Sequence, residues 1–171
     1  MRDRRRLLMA QSGGAFNPIM YDNGVENDPM TTEVFYMASN NRPSAATFYS
    51  TDLVDVTDYT YLKLSALVAG SNTANLLGLW DGTTLETSLT VNYPKVDASR
   101  MTSLVTGNNI TTLDISSITG LWKPIVMVYN TPSYGSSQGI ARKDANSVYL
   151  YHQYYNASWY MSATIYKMWL E

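Results

Sequence analysis

Tyr61-Leu62-Lys63-Leu64-Ser65-Ala66-Leu67-Val68-Ala69 decides the fold class. Leu62, Leu64, Ala66 and Val68 fall on one side of a period-2 pattern, and Tyr61, Lys63 and Ser65 fall on the other. A helix would scatter those apolar residues around its axis, whereas a strand collects them on one face. The stretch therefore predicts a half-buried β-strand, although Leu, Lys and Ala are good helix formers.

Working outward, the same pattern recurs. Residues 33–38, 46–51 and 75–80 read as strands. Asp81-Gly82 predicts a tight hairpin turn into residues 83–91, where Leu85, Thr87, Leu89 and Val91 alternate with Glu86, Ser88 and Thr90. Residues 96–106 fit helix or strand equally. Gly107-Asn108-Asn109 reads as a turn, followed by strands at 110–115 and 122–129. Pro124 places the second of these at an edge or a bulge. Residues 131–139 form a long polar loop. A last strand pair, 147–155 and 159–170, flanks Asn156-Ala157-Ser158. Short strands punctuated by turn residues, with no amphipathic helix after residue 11, predict an all-β domain over residues 15–171, a β-sandwich or a barrel.

The start of the chain is different. Arg2, Arg4, Arg5 and Arg6 with Asp3 give the first six residues a charge of +3. The other 165 carry eight basic and thirteen acidic side chains, or −5. Leu7, Leu8, Met9 and Ala10 continue as good helix formers, and Ser12-Gly13-Gly14 reads as a joint. Residues 1–14 are thus expected to be a basic arm, with Arg2, Arg4, Arg5, Arg6, Leu7, Leu8 and Met9 as anchoring residues. The apolar run is too short for a signal-peptide core, and no run approaches the ~18 residues of a membrane helix. Synthesis in the cytoplasm, without membrane association, is the expectation. Cysteine is absent, which removes disulfides and thiolate metal sites.

Few residues suggest chemistry. The single histidine, His152, shares a strand face with Val148 and Leu150 and reads as a packed, hydrogen-bonded side chain. One histidine and no cysteine make zinc improbable. Asp52, Asp55 and Asp58 are the densest carboxylates, but they bracket a turn, where Asp serves the backbone. Phosphate-binding glycine motifs are missing. An acidic body argues against a dedicated nucleic-acid binder. Neither catalytic residues, cofactor nor metal are expected.

The composition favours contact surfaces. There are 14 Tyr and 4 Trp, side chains that pair a large apolar body with a polar handle. Trp80, Asp81, Trp122, Tyr134 and Trp159 are the candidates for glycan contact, since sugars bind flat aromatics beside amide and carboxylate groups. The competing reading buries the tryptophans in a core or interface.

Four stretches resemble small structural proteins of tailed phages from Gram-positive and gut bacteria. They are Arg4-Arg5-Arg6-Leu7-Leu8-Met9, Val54-Asp55-Val56-Thr57-Asp58-Tyr59 leading into residues 61–64, residues 113–120, and the closing residues 165–171. The resemblance implies a jelly-roll-like antiparallel β-sandwich and a non-catalytic virion component of a tail, baseplate, fibre or capsid-accessory kind. Its arm would anchor to other virion proteins and its sandwich would be displayed, with a host-surface carbohydrate-binding module as the alternative role. It also implies a homo-oligomer, and phage appendages suggest a trimer. Tyr149, Tyr151 and Tyr155 read as one face of the first closing strand, and Tyr160 and Tyr166 as one face of the second. If His152 points into the core, these tyrosines point out and form the candidate subunit interface.

Overall fold

The structure, a computed structural model, describes residues 16–71, 74–130, 136–155 and 157–171. Its strands are β1 (Ile19–Asp22), β2 (Val25–Glu26), β3 (Met30–Tyr36), β4 (Pro43–Ser50), β5 (Val54–Asp55), β6 (Tyr61–Gly70), β7 (Ala74–Trp80), β8 (Leu85–Thr87), β9 (Asn92–Pro94), β10 (Met101–Thr102), β11 (Gly107–Asp114), β12 (Leu121–Tyr129), β13 (Ser136–Lys143), β14 (Val148–Tyr154) and β15 (Tyr160–Leu170). Every pairing is antiparallel. Two sheets pack face to face, so the expected all-β sandwich is what the chain forms. The anchoring arm lies outside the described residues.

The front sheet is centred on β15. One edge of β15 pairs with β6, which in turn pairs with β11. The other edge is shared: β14 takes Tyr160–Ile165 and β1 takes Lys167–Trp169. A bulge between Ile165 and Lys167 marks the change of partner. The extra residue, Tyr166, accepts the Asn23 amide with its carbonyl at 2.7 Å. Bulges bend a strand and increase its twist, which lets one long strand serve two partners.

The back sheet runs β10–β7–β12–β4–β3, with β5 on the far end of β12. The core lies between the sheets. Leu62, Leu64, Ala66 and Val68 of β6 meet Ala46, Phe48, Leu77, Leu79, Val126 and Val128 of the back sheet, all buried. Each large apolar side chain enclosed there contributes about 1.5–3 kcal/mol. A second cluster covers the outer face of the back sheet. Tyr93, Val96 and Met101 pack over Tyr49, Leu76, Trp80, Ile125 and Met127.

Several sequence expectations are corrected. The strand after Asp81-Gly82 does not pair with β7. Asp81 Oδ1 accepts the amides of Thr83 and Thr84, each at 2.8 Å, which turns the chain out of the ladder. The open edge of β7 is taken by β10, with Met101 opposite Gly78. A Cβ on Gly78 would meet the Arg100 carbonyl oxygen at 2.9 Å, so this close approach needs glycine. Residues 107–109 belong to β11 rather than a turn. Pro124 sits on a central strand. On its β4-facing edge it falls between the pairing of Trp122 with Val54 and that of Ile125 with Tyr49, where no ladder amide is required. Part of the expected polar loop is β13, and residues 131–135 lie outside the described residues.

Candidate ligand-binding face

Sheet alternation sorts the end of the chain cleanly. Val148, Leu150 and His152 of β14 point inward and are fully buried. Tyr149, Tyr151 and Gln153 between them are half-buried and face out. On β15, Met161, Ala163 and Ile165 are buried, and Tyr160, Ser162 and Thr164 face out. No described element crosses the outer face of the front sheet, whereas residues 93–101 cover that of the back sheet.

Register sets what stands beside what. Tyr149 lies opposite Thr164, and Thr164 lies opposite Leu67 of β6. In the next row Tyr151, Ser162 and Ala69 are neighbours. Neighbouring strands are about 4.8 Å apart, so Tyr149 and Leu67 stand about 10 Å apart with only a threonine between them. Ile110 of β11, paired with Ser65, extends the Leu67 side. Leu67 is 43% exposed and Ile110 58% exposed. The face is therefore a shallow trough along β15. Its floor is Ser162, Thr164 and Ala69, one wall is tyrosine, and the opposite lip is aliphatic.

The tyrosine wall is ordered by stacking. Tyr149 and Tyr151 are 6.3 Å apart at 22°, and Tyr151 and Tyr160 are 5.6 Å apart at 19°. The Arg142 guanidinium lies 4.5 Å from the Tyr149 ring centre and ends the row. Arg142 Nε donates to both carboxylate oxygens of Asp144, at 3.0 and 3.3 Å. Burial, then the Tyr151 hydroxyl, raises the Tyr149 phenol above its ordinary range, and Arg142 acts in the opposite direction. The Tyr149 phenol consequently stays protonated near neutral pH, and the tyrosine hydroxyls offer hydrogen-bonding groups along the wall.

At the end of this wall, the turn between β14 and β15 carries a second aromatic group. Tyr155 is 64% exposed and Trp159 is 41% exposed, with ring centres 6.0 Å apart. Tyr154 packs 5.6 Å from Trp159. Tyr155 is held at φ +65°, a left-handed conformation that costs a non-glycine residue about 1 kcal/mol or more. The expected placement of Tyr155 on the Tyr149–Tyr151 face is thus corrected: β14 ends at Tyr154, and Tyr155 belongs to the turn.

The other sequence candidates are scattered. Trp80 is only 5% exposed; it packs edge-on at 5.2 Å from Tyr49 and donates Nε1–H to the Thr84 carbonyl at 2.8 Å. It is a core residue and offers no platform. Asp81 is occupied within its own turn, where, against burial, bonds from the Thr84 hydroxyl and from the Thr84 and Thr83 amides hold its carboxyl below the usual range. Trp122 is half-buried, with Arg100 4.3 Å above its ring and its Nε1–H bonded to the Thr119 carbonyl. That leaves Tyr149 and Tyr151 on the open face, with Trp159 and Tyr155 exposed in the turn beyond it, where Trp159 packs on the inward-pointing Tyr154. Tyr134 and the residues from Arg2 to Met9 lie outside the described residues.

His152 is enclosed. Its Nε2 faces the Pro43 carbonyl at 3.3 Å, and burial pushes its pKa down to about 4. Asp55 is buried and accepts the Thr57 amide and hydroxyl at 3.0 and 2.5 Å, which is the turn role its position suggested. Among the described residues no group of three or more His, Cys, Asp or Glu side chains is placed to hold a metal ion.

Sequence reasoning missed Arg142, Ser162, Thr164, Leu67 and Ile110 as partners of the tyrosines. Alternation along residues 160–165 shows which of them face out. Nothing local shows that Leu67 stands across Thr164 from Tyr149.

No family model matches the chain, and no curated protein matches it. Among solved structures it is similar to a low-affinity xylan-binding module from the xylanolytic gut symbiont Roseburia intestinalis. The two are 8% identical over 82% of this chain and 86% of that one, with a TM-score of 0.40. A likeness of that degree carries no argument about what this chain binds.

Proposed function

We propose that this domain is a non-catalytic recognition module whose trough along β15 binds an extended glycan chain. The observation behind this reading is the juxtaposition of the tyrosine wall with a small, hydroxyl-bearing floor on an open sheet face. A sugar chain has apolar C–H faces and many hydroxyls. It calls for aromatic surface beside distributed polar groups. Trp159 and Tyr155 add exposed aromatic rings in the turn past the strand end. Affinity electrophoresis through gels containing soluble polysaccharides, followed by calorimetry, tests the reading. Retardation by at least one polymer, abolished by Tyr151→Ala, is the expected result. No retardation by any of a broad panel removes the proposal.

A structural role on a phage particle is the second reading, favoured by the charge separation between the first six residues and the rest of the chain. In that reading the arm anchors the domain to other virion proteins. Tyr149 and Tyr151 then meet either a host glycan or a second copy of the chain. Deletion of residues 1–11 should leave a folded domain that no longer copurifies with particles. Stoichiometric copurification of the truncated chain refutes the anchoring role.

A further inference from the structure

We infer that the ligand of the trough is an uncharged polysaccharide. This rests on the glycan reading above and names the class of chain that the face accepts.

The charged side chains around the trough are already engaged with one another or with rings. Arg142, at the end of the tyrosine wall, is bonded to Asp144 on one side and stacked on Tyr149 on the other. Lys63 Nζ lies 2.9 Å from Glu171 Oε2 and 5.4 Å from the centre of the Tyr61 ring. Lys167 lies 4.9 Å over Trp169, with Asp22 opposite it on β1. Asp114 accepts the amide and hydroxyl of Ser116 at 2.9 and 2.6 Å. Asp22 accepts Asn23 Nδ2 at 2.7 Å.

Between these groups the lining is neutral: Tyr149, Tyr151, Tyr160, Ser162, Thr164 and Leu67. A carboxylate or sulfate drawn into that strip gives up water, and among the described residues the strip itself offers it no cation. The cost of moving an unpaired charge against an apolar lip far exceeds that for a hydroxyl. The domain beyond the first six residues carries −5, which adds long-range repulsion at low salt. Sugar hydroxyls meet no such penalty, because phenol, Ser and Thr hydroxyls replace their water contacts.

The test compares polymers that differ in charge and not in backbone: polygalacturonate against its fully methyl-esterified form, beside neutral glucans, mannans and arabinoxylans. Binding of the full chain is measured at about 20 mM and about 0.5 M NaCl, where screening lengths differ several-fold. Only binding that Tyr151→Ala abolishes is counted. Affinity for neutral polymers should change less than about twofold with salt, and the carboxylate form should bind at least about tenfold more weakly than its ester. Tighter, salt-sensitive and Tyr151-dependent binding of the carboxylate form overturns the inference. If no polymer of either charge binds, the glycan reading itself is overturned, and this inference with it.

Discussion

Tyr151 and Tyr160 stack across the β14–β15 pair with ring centres 5.6 Å apart and planes within 19° of parallel. They are not directly opposite in register: Tyr160 pairs with Gln153 and Tyr151 with Ser162, so the contact is diagonal. Tyr151 also stacks on Tyr149, which makes it the middle of the wall.

Tyr151→Ala therefore removes two ring contacts at once. Aromatic pairs contribute about 0.5–1.5 kcal/mol beyond their area. The substitution should lower unfolding free energy by roughly 1–3 kcal/mol in urea titrations. A double-mutant cycle with Tyr160→Ala should give a coupling of about 1 kcal/mol. Additive effects of the two substitutions would show that the stacking carries no energy of its own.

The tryptophans should separate by experiment. Trp80→Ala opens the cluster formed with Tyr49 and should cost about 3–5 kcal/mol, leaving the affinity of the remaining folded fraction unchanged. Trp159→Ala touches an exposed ring and should cost under about 1 kcal/mol while weakening glycan binding. Equal affinity of Trp159→Ala and wild type for the retarding polymer would remove the turn from the site.

Tyr155 gives a complementary test of strain. Glycine adopts its positive φ without penalty, so Tyr155→Gly should change stability by less than about 1 kcal/mol despite losing a ring, and should weaken binding. A large loss of stability would assign the ring a packing role with Tyr154 and Trp159 instead.

Two buried groups give stability a pH dependence of opposite sign. His152 titrates near 4 in the fold against 6.5 when unfolded, so its contribution is complete above pH 6.5 and is lost as pH falls toward 4. Asp28 is pushed from 3.8 to about 6, chiefly by burial and against the bond from Ser50, with Asp52 and Glu26 adding to the rise. Its contribution is complete below pH 3.8 and is lost as pH rises through 6. Each effect is about 3 kcal/mol at full extent, so they largely offset between pH 4 and 6. Asp28→Asn should expose the histidine's acid lability as a steep loss of stability below pH 6. His152→Leu should leave stability rising on acidification over the same range. Identical pH profiles for both variants and wild type would show that neither group is coupled to folding.

Self-association is testable on the same face. If a second copy covers the tyrosine wall, Tyr149→Ser with Tyr151→Ser should convert an oligomer into a folded monomer in sedimentation experiments. A wild-type chain that stays monomeric at high concentration leaves the wall open to a glycan.

The front sheet shows what a sequence of this kind determines by itself. Alternation over residues 61–69 and 148–154 assigned each side chain to a face, and failed only at Tyr155, where the strand had ended. Burying Leu62, Leu64, Val148 and Leu150 necessarily turned Lys63, Ser65, Tyr149 and Tyr151 outward. That information is local, because side chains alternate within a single strand. Only the tertiary structure decided which outward residues became neighbours. The Asp81-Gly82 turn looked like a hairpin, yet Asp81 bonded its own following amides and the edge of β7 went to Met101, some twenty residues onward. The trough likewise joins Tyr149, Thr164 and Leu67 through pairings of β14 with β15 and of β15 with β6. Those pairings depend on core packing and on the bulge at Tyr166, which act between segments far apart in the chain and leave no periodic mark in either one.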